Sequence, residues 1–131
     1  MKSRIILFIL AAVVALTSGS MVGGVTEISM KDVGARKALQ AAVEQHNRQS
    51  NNMCLTTVQQ VIKVESQVVE GLLYRIKVIM ASTSCRNPTT AVQCAINEDP
   101  EKAQLFECTF EVWVREWMTP DPITVQHTSC S

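Results

Sequence analysis

From about Asp32 to Asn47, Ala35, Leu39, Ala42, Val43 and His46 recur at helical spacing, while Arg36, Lys37, Gln40, Glu44 and Gln45 take the intervening positions. That spacing places the first set on one stripe of a 3.6-residue period and predicts an amphipathic helix. Asp32 is suited to cap it, Gly34 is a mild weakness in its first turn, and the polar cluster Ser50-Asn51-Asn52 stops it. His46, on or beside the apolar stripe, is expected to be packed and hydrogen-bonded rather than a catalytic base or ligand. Beyond the cluster the period changes to two. Val58 to Gln67 and Leu72 to Ser84 read as strands, the second with Leu72, Tyr74, Ile76, Val78 and Met80 on one face and Arg75 and Lys77 on the other. Phe106, Cys108, Phe110, Val112 and Val114 repeat this alternation against Glu107, Thr109, Glu111 and Arg115, and Ile123 to Ser129 supplies a last strand. Such alternation predicts an antiparallel sheet with one apolar face. The single helix must cover that face, so the fold class is α+β. Arg86 to Lys102 is a long excursion between strands.

The turns carry the less ordinary chemistry. A tight hairpin usually offers Asn-Gly or Asp-Gly at its tip, where positive φ is cheap and polar groups stay wet. Here Gln67-Val68-Val69-Glu70-Gly71 stands between two strands. On these residues alone, Val68 and Val69 fold back into the core, as most valines do, or are displayed to a partner. Trp117, in a later turn, either joins Trp113 in the core or marks a surface. Gly23-Gly24 by itself is a flexible leader.

Composition places these elements in an exported domain. Lys2 and Arg4 precede an apolar run from Ile5 to Leu16, and Ser18, Gly19 and Ser20 follow, the pattern of a secretory signal over residues 1–20 cleaved before Met21. The run is too short to span a membrane. Residues 21–131 then form one domain of roughly 110 residues. Without Lys2 and Arg4 the charge is slightly acidic, with no basic stripe to suit nucleic acid. Five cysteines in a small exported chain imply bridges and one residue left over, with several pairings open. A zinc site is disfavoured because the chain has no C-x-x-C pair. The odd Cys54 is expected to be buried as a small hydrophobe, or else exposed and able to form a mixed disulfide.

Gln67-Val68-Val69-Glu70-Gly71 resembles the Gln-x-Val-x-Gly motif of the cystatins, tight reversible inhibitors of papain-like cysteine proteases. Gly23-Gly24 near the mature N-terminus, Trp117 in a later turn, and Cys85, Cys94, Cys108 and Cys130 in the C-terminal half agree in order and separation. The resemblance covers the mature chain and is to the secreted type 2 members. It implies a cystatin-like fold, one long α-helix packed across a curved antiparallel sheet of four to five strands. It also implies bridges Cys85–Cys94 and Cys108–Cys130, each contributing about 2 to 4 kcal/mol, with Cys54 unpaired.

By the same resemblance, the chain is an extracellular inhibitor rather than an enzyme, needs no cofactor or metal, and has cathepsins as partners. The N-terminal segment and two hairpins form a wedge that enters the protease cleft. Met21 and Val22 fill substrate pockets, the tail turns away at Gly23, Gln67 to Gly71 form the first hairpin, and Trp117 anchors the second. Two departures add charge: Glu70 stands where a small residue is usual, and Glu116 where a proline usually precedes the tryptophan. They are expected to alter protease choice and make binding depend on pH and salt. Asn51 matches a position that some type 2 members use against legumain-like proteases through a separate face. The inhibitor is expected to be a monomer when active, while strain in the valine hairpin would favour a domain-swapped dimer. The rival readings are a non-inhibitory secreted binding or antimicrobial-type protein on this scaffold, and an enzyme pairing Cys54 with His46 or His127. The second lacks any implied cleft.

Overall fold

The Ala35 amide donates to Asp32 Oδ1 at 3.0 Å, and this cap opens α1, Val33–Gln49, in the computed structural model, which describes residues 24–87 and 94–131. The predicted signal segment, Met21, Val22 and Gly23 lie outside the described residues. Helix α1 buries Ala35, Ala38, Leu39 and Ala42. Three of these side chains are single methyl groups, which lets the helix lie close on the sheet. Its far end is fastened by Asn47, whose Nδ2 donates to the Thr56 carbonyl at 2.9 Å and whose Oδ1 accepts from the Thr56 amide at 2.9 Å and the Thr56 hydroxyl at 3.0 Å.

The described residues form one antiparallel sheet in sequential order, β1 (Val25–Glu27), β2 (Cys54–Val69), β3 (Gly71–Arg86), β4 (Phe106–Val114) and β5 (Ile123–Cys130). The alternation sorts the faces: Tyr74, Ile76, Val78 and Met80 of β3 and Cys108, Phe110, Val112 and Val114 of β4 lie buried under α1. Phe110, Ile76, Met80, Val78 and Val112 are fully enclosed, each stabilising the fold by roughly 1.5–3 kcal/mol through apolar burial. On the open face, charges pair instead. Arg75 Nε lies 3.1 Å from Glu111 and Lys77 Nζ 3.0 Å from Glu107, solvated pairs that contribute at most about 1 kcal/mol each. Register shifts along β2 at Cys54/Thr56, Val58/Gln60 and Val61/Lys63 insert bulges that bend the long hairpin around the helix.

Two elements were not evident from periodicity. Strand β1 is only three residues long and pairs with Glu65–Gln67. Helix α2, Pro100–Ala103, interrupts the excursion; the Glu101 amide donates to Asp99 Oδ1 at 3.0 Å, and the Asp99-Pro100-Glu101 run carries the cap-then-proline signal that marks a helix start. Disulfides join Cys85 to Cys94 and Cys108 to Cys130, the second stapling β4 to β5. Cys54 is unpaired and half-buried.

His46 departs from expectation. It is packed, with its ring centroid 5.9 Å from that of Phe106 and 6.3 Å from that of Phe110, but its buried Nε2 has no hydrogen-bond partner. Its neighbours are aromatic rings and a disulfide, which offer no good acceptor or donor. A ring nitrogen of His46 and the sulfurs of Cys108 and Cys130 lie within 4.8 Å of one another; the sulfurs are bonded to each other and have no thiolate to offer a metal. Burial pushes the His46 pKa below the ordinary imidazole value. The unfolded chain therefore binds this proton near pH 6.5 while the native state still resists it. The stability tied to neutral His46 is complete above that pH and is lost as pH falls toward the depressed native pKa. His46→Phe is expected to lose less thermal stability than the parent between pH 7.5 and 5; a constant gap in Tm across that range would overturn this.

Candidate functional site

Pairing in the β2–β3 hairpin continues to its tip. Val68 faces Leu72 and Val69 faces Gly71, leaving Glu70 as the residue at the turn. The positive φ falls on Gly71, at 93°, and the valines carry none. Glycine adopts that conformation without a Cβ penalty, so the valines show no left-handed backbone strain of the kind a domain swap would relieve. Val68 is 62% and Val69 40% exposed, against the burial that valines ordinarily prefer. The first turn of α1 lies against Tyr74, so the hairpin beyond that level extends past the helix.

The second turn, residues 115–122, is closed by the Arg115 amide donating to the Pro122 carbonyl at 2.8 Å and the Met118 amide to the Arg115 carbonyl at 2.9 Å. The Thr119–Pro120 peptide is cis. Trp117 is 57% exposed at this turn, so it does not join Trp113 in a common core. Pairing of Leu72 with Val114 sets the turn beside the first tip. Pairing of Val25 with Gln67 brings the start of the described chain, at Gly24, to the same end. Three segments distant in sequence thus share one end of the sheet, and Val25, Val68, Val69, Leu72, Trp117 and Met118 expose apolar surface there.

The geometry also reveals residues that the sequence reading did not assign to the site. The Trp113 indole N–H donates to the Glu70 carbonyl at 2.7 Å. The Arg115 guanidinium lies 3.7 Å over the Trp113 ring. Gln67 turns toward the open face, where Arg75 donates to its Oε1 at 3.5 Å. The available signal for Trp113 was its phase: an aromatic at an outward position of β4 needs a partner on that face.

Glu70 and Glu116 are both exposed at this end. Burial, then Asp32, then Glu116 raise the Tyr74 phenol pKa, which puts Glu116 within electrostatic reach of the start of α1. Asn51 is exposed at the opposite end of the sheet, beside the helix-terminating turn in which the Asn52 amide donates to Ser50 Oγ at 3.0 Å. Cys54 lies at that far end too and lines an open hollow of about 550 Å³ with Met53, Thr83, Asn97 and Lys102.

The loops of this small domain converge into one exposed apolar end, a surface of the kind that marks contact with a partner. Residues 23–117 match the family model of the Cystatin domain, and the chain belongs to the cystatin family of cysteine protease inhibitors, which are not enzymes. It is 38% identical over 119 residues to a cystatin of Oncorhynchus keta, covering 91% of this chain and 92% of that relative. It is 43% identical over 114 residues to cystatin-C of Paralichthys olivaceus, covering 86% and 88%. The crystal structure of dimeric human cystatin F superimposes with a TM-score of 0.73 at 27% identity, covering 84% of this chain and 87% of that one. No helix among the described residues is long and apolar enough to cross a membrane.

Proposed function

We propose that this chain is a secreted, reversible, tight-binding inhibitor of papain-like cysteine proteases such as cathepsins, and that it blocks their cleft with the shared end of the sheet. The observation that carries this reading is the convergence of exposed Val68, Val69 and Trp117 at the end where the described chain begins, at Gly24 beside β1. Signal cleavage before Met21 would free Met21 and Val22 to enter substrate pockets, with Gly23 turning the tail away from the catalytic cysteine. Gln67 to Gly71 fill the cleft from one side and Trp117 from the other. Inhibition is occupation without reaction. A preformed hairpin loses little conformational entropy on docking, whereas the tail must be ordered as it binds.

Titration of papain and a cathepsin with the oxidised chain from Met21 tests this. Tight, reversible inhibition is expected, and removal of residues through Gly23 should weaken it by roughly tenfold, since the tail has to be ordered on binding. A folded parent that leaves both proteases active overturns the reading. Glu70 and Glu116 would act as rim charges, so Glu70→Ala and Glu116→Pro should change the salt dependence and the ranking of proteases; identical constants across salt and pH would refute that part. Exposed Asn51, at the far end, supports a separate legumain-inhibiting face, and legumain should then bind while papain is already engaged.

A further inference from the structure

We propose that Trp113 is a positioning residue for inhibition, holding the first hairpin tip in its docking geometry through its indole N–H, with Arg115 holding the indole. The functional consequence rests on the inhibitory reading above. The tip needs such a device, because its turn lacks the Asn or Asp side chains that ordinarily stiffen a hairpin from within. Glu70 is the residue between the paired Val69 and Gly71 and stands outside the β2–β3 ladder, so its peptide is the part of the hairpin with least intrinsic restraint. The Trp113 N–H reaches this peptide from 43 residues away in sequence, at 2.7 Å.

The indole sits beside two further residues of the hairpin and second turn. Trp113 stands opposite Leu73 in the β3–β4 register, and Leu73 is nearly buried although it lies on the open face. Arg115 lies 3.7 Å over the ring. Its Nε is buried without a hydrogen-bond partner, and no carboxylate is seen to pair with its side chain among the described residues. The cation–π contact therefore fixes where this side chain lies. Arg115 also begins the second turn, through its amide to Pro122 and its carbonyl to Met118, and its Cγ packs by Gly71, 3.0 Å from the position a Cβ would take there. One chain of contacts thus runs from the Trp117 turn through Arg115 and Trp113 to Glu70, and the two loops are held as a single body. The consequence is a larger fraction of free molecules already in the docking shape, and apparent affinity scales with that fraction.

A positioning role and a contact role differ in kinetics. Loss of preorganisation slows association and leaves the bound complex intact, whereas loss of an interface contact appears mainly in dissociation. Trp113→Phe removes the N–H and keeps a ring beneath Arg115. For the loss of one hydrogen bond, association with papain is expected to slow about five- to tenfold, with dissociation changed less than twofold. Hydrogen exchange of the free protein over residues 67–72 should quicken by a similar factor, while the amides of Ile76 and Val78 keep their protection. Arg115→Met, which leaves the indole N–H in place, should move both readouts in the same direction by less. Unchanged tip exchange in a folded Trp113→Phe protein overturns the brace. A change confined to dissociation does so as well, because it makes Trp113 an interface contact. If the parent fails to inhibit papain, the inhibitory reading falls, and tip exchange alone then decides whether the brace exists.

Discussion

Val69→Asp should weaken inhibition of papain by a hundredfold or more while leaving the thermal midpoint nearly unchanged, and Gly71→Ala should damage both. Val69 is exposed at the tip, so a carboxylate there costs the free protein little. In a protease cleft the same carboxylate would be desolvated without a partner, a loss of about 3 kcal/mol or more. Gly71 reaches the same end through the backbone. Its φ of 93° disfavours any L side chain, and a Cβ would run into the Val114 carbonyl and meet Arg115 Cγ at 3.0 Å. Positive φ at alanine and displacement of a strand carbonyl each cost roughly 1–3 kcal/mol. The tip would have to move away from β4, and so away from Trp113. Protease titration with a parallel thermal melt separates the variants: Val69→Asp should show loss of affinity alone, Gly71→Ala loss of affinity and stability together. Less than a tenfold effect of Val69→Asp would mean that the tip does not enter the cleft.

Gly34→Ala should destabilise the protein by about 2 kcal/mol, although alanine in a helix is ordinarily favoured over glycine by roughly 1 kcal/mol. The opposing contact is tertiary. A Cβ on Gly34 would overlap the Tyr74 hydroxyl and press Asp32 Oδ1 at 3.1 Å, and Tyr74 is buried, so its ring would have to shift against packed neighbours. Overpacking of this kind costs about 1–3 kcal/mol before any loss of the Asp32 cap is added. Tyr74→Phe removes the clashing oxygen, so Gly34→Ala in that background should cost at least about 1 kcal/mol less. Denaturant melts of the four proteins close the cycle. Equal costs in the two backgrounds would show that the phenol is not what excludes a side chain at Gly34.

Much of the scaffold is legible before any tertiary contact is known. The helical stripe through Ala35, Leu39 and Ala42, the Asp32 cap and the alternation in β3 and β4 depend on neighbours a few positions away, and such local preferences act through the backbone alone. The observed elements start and stop within a few residues of that reading, and β2 extends further because pairing with β3 carries it on to Cys54 and Val69. Strand β1 escaped notice because Val25–Glu27 is too short to display a period, and its identity comes from the β2 edge it meets. The apolar tip at Gln67 to Gly71 is unusual on its residues alone, but only the family resemblance singles it and Trp117 out as a binding surface. On residue type alone, Val68 and Val69 read more readily as core, and Trp117 fits either.

The sequence by itself determined the helix, the long strands, which strand face is apolar, and the family motif that singles out the two turns. Tertiary structure decided the rest. Whether Val68 is covered depends on how far α1 extends along the sheet, and whether Gly34 tolerates a methyl depends on a phenol 40 positions later. His46 has no hydrogen-bond partner because aromatic rings and a disulfide from distant strands enclose it. Trp113 finds the Glu70 carbonyl only once β3 has aligned β4 beside the first hairpin. Exposure, steric room and hydrogen-bond supply at a residue are sums over non-local neighbours, and a one-dimensional pattern of polar and apolar positions does not contain those neighbours until the sheet register brings them together.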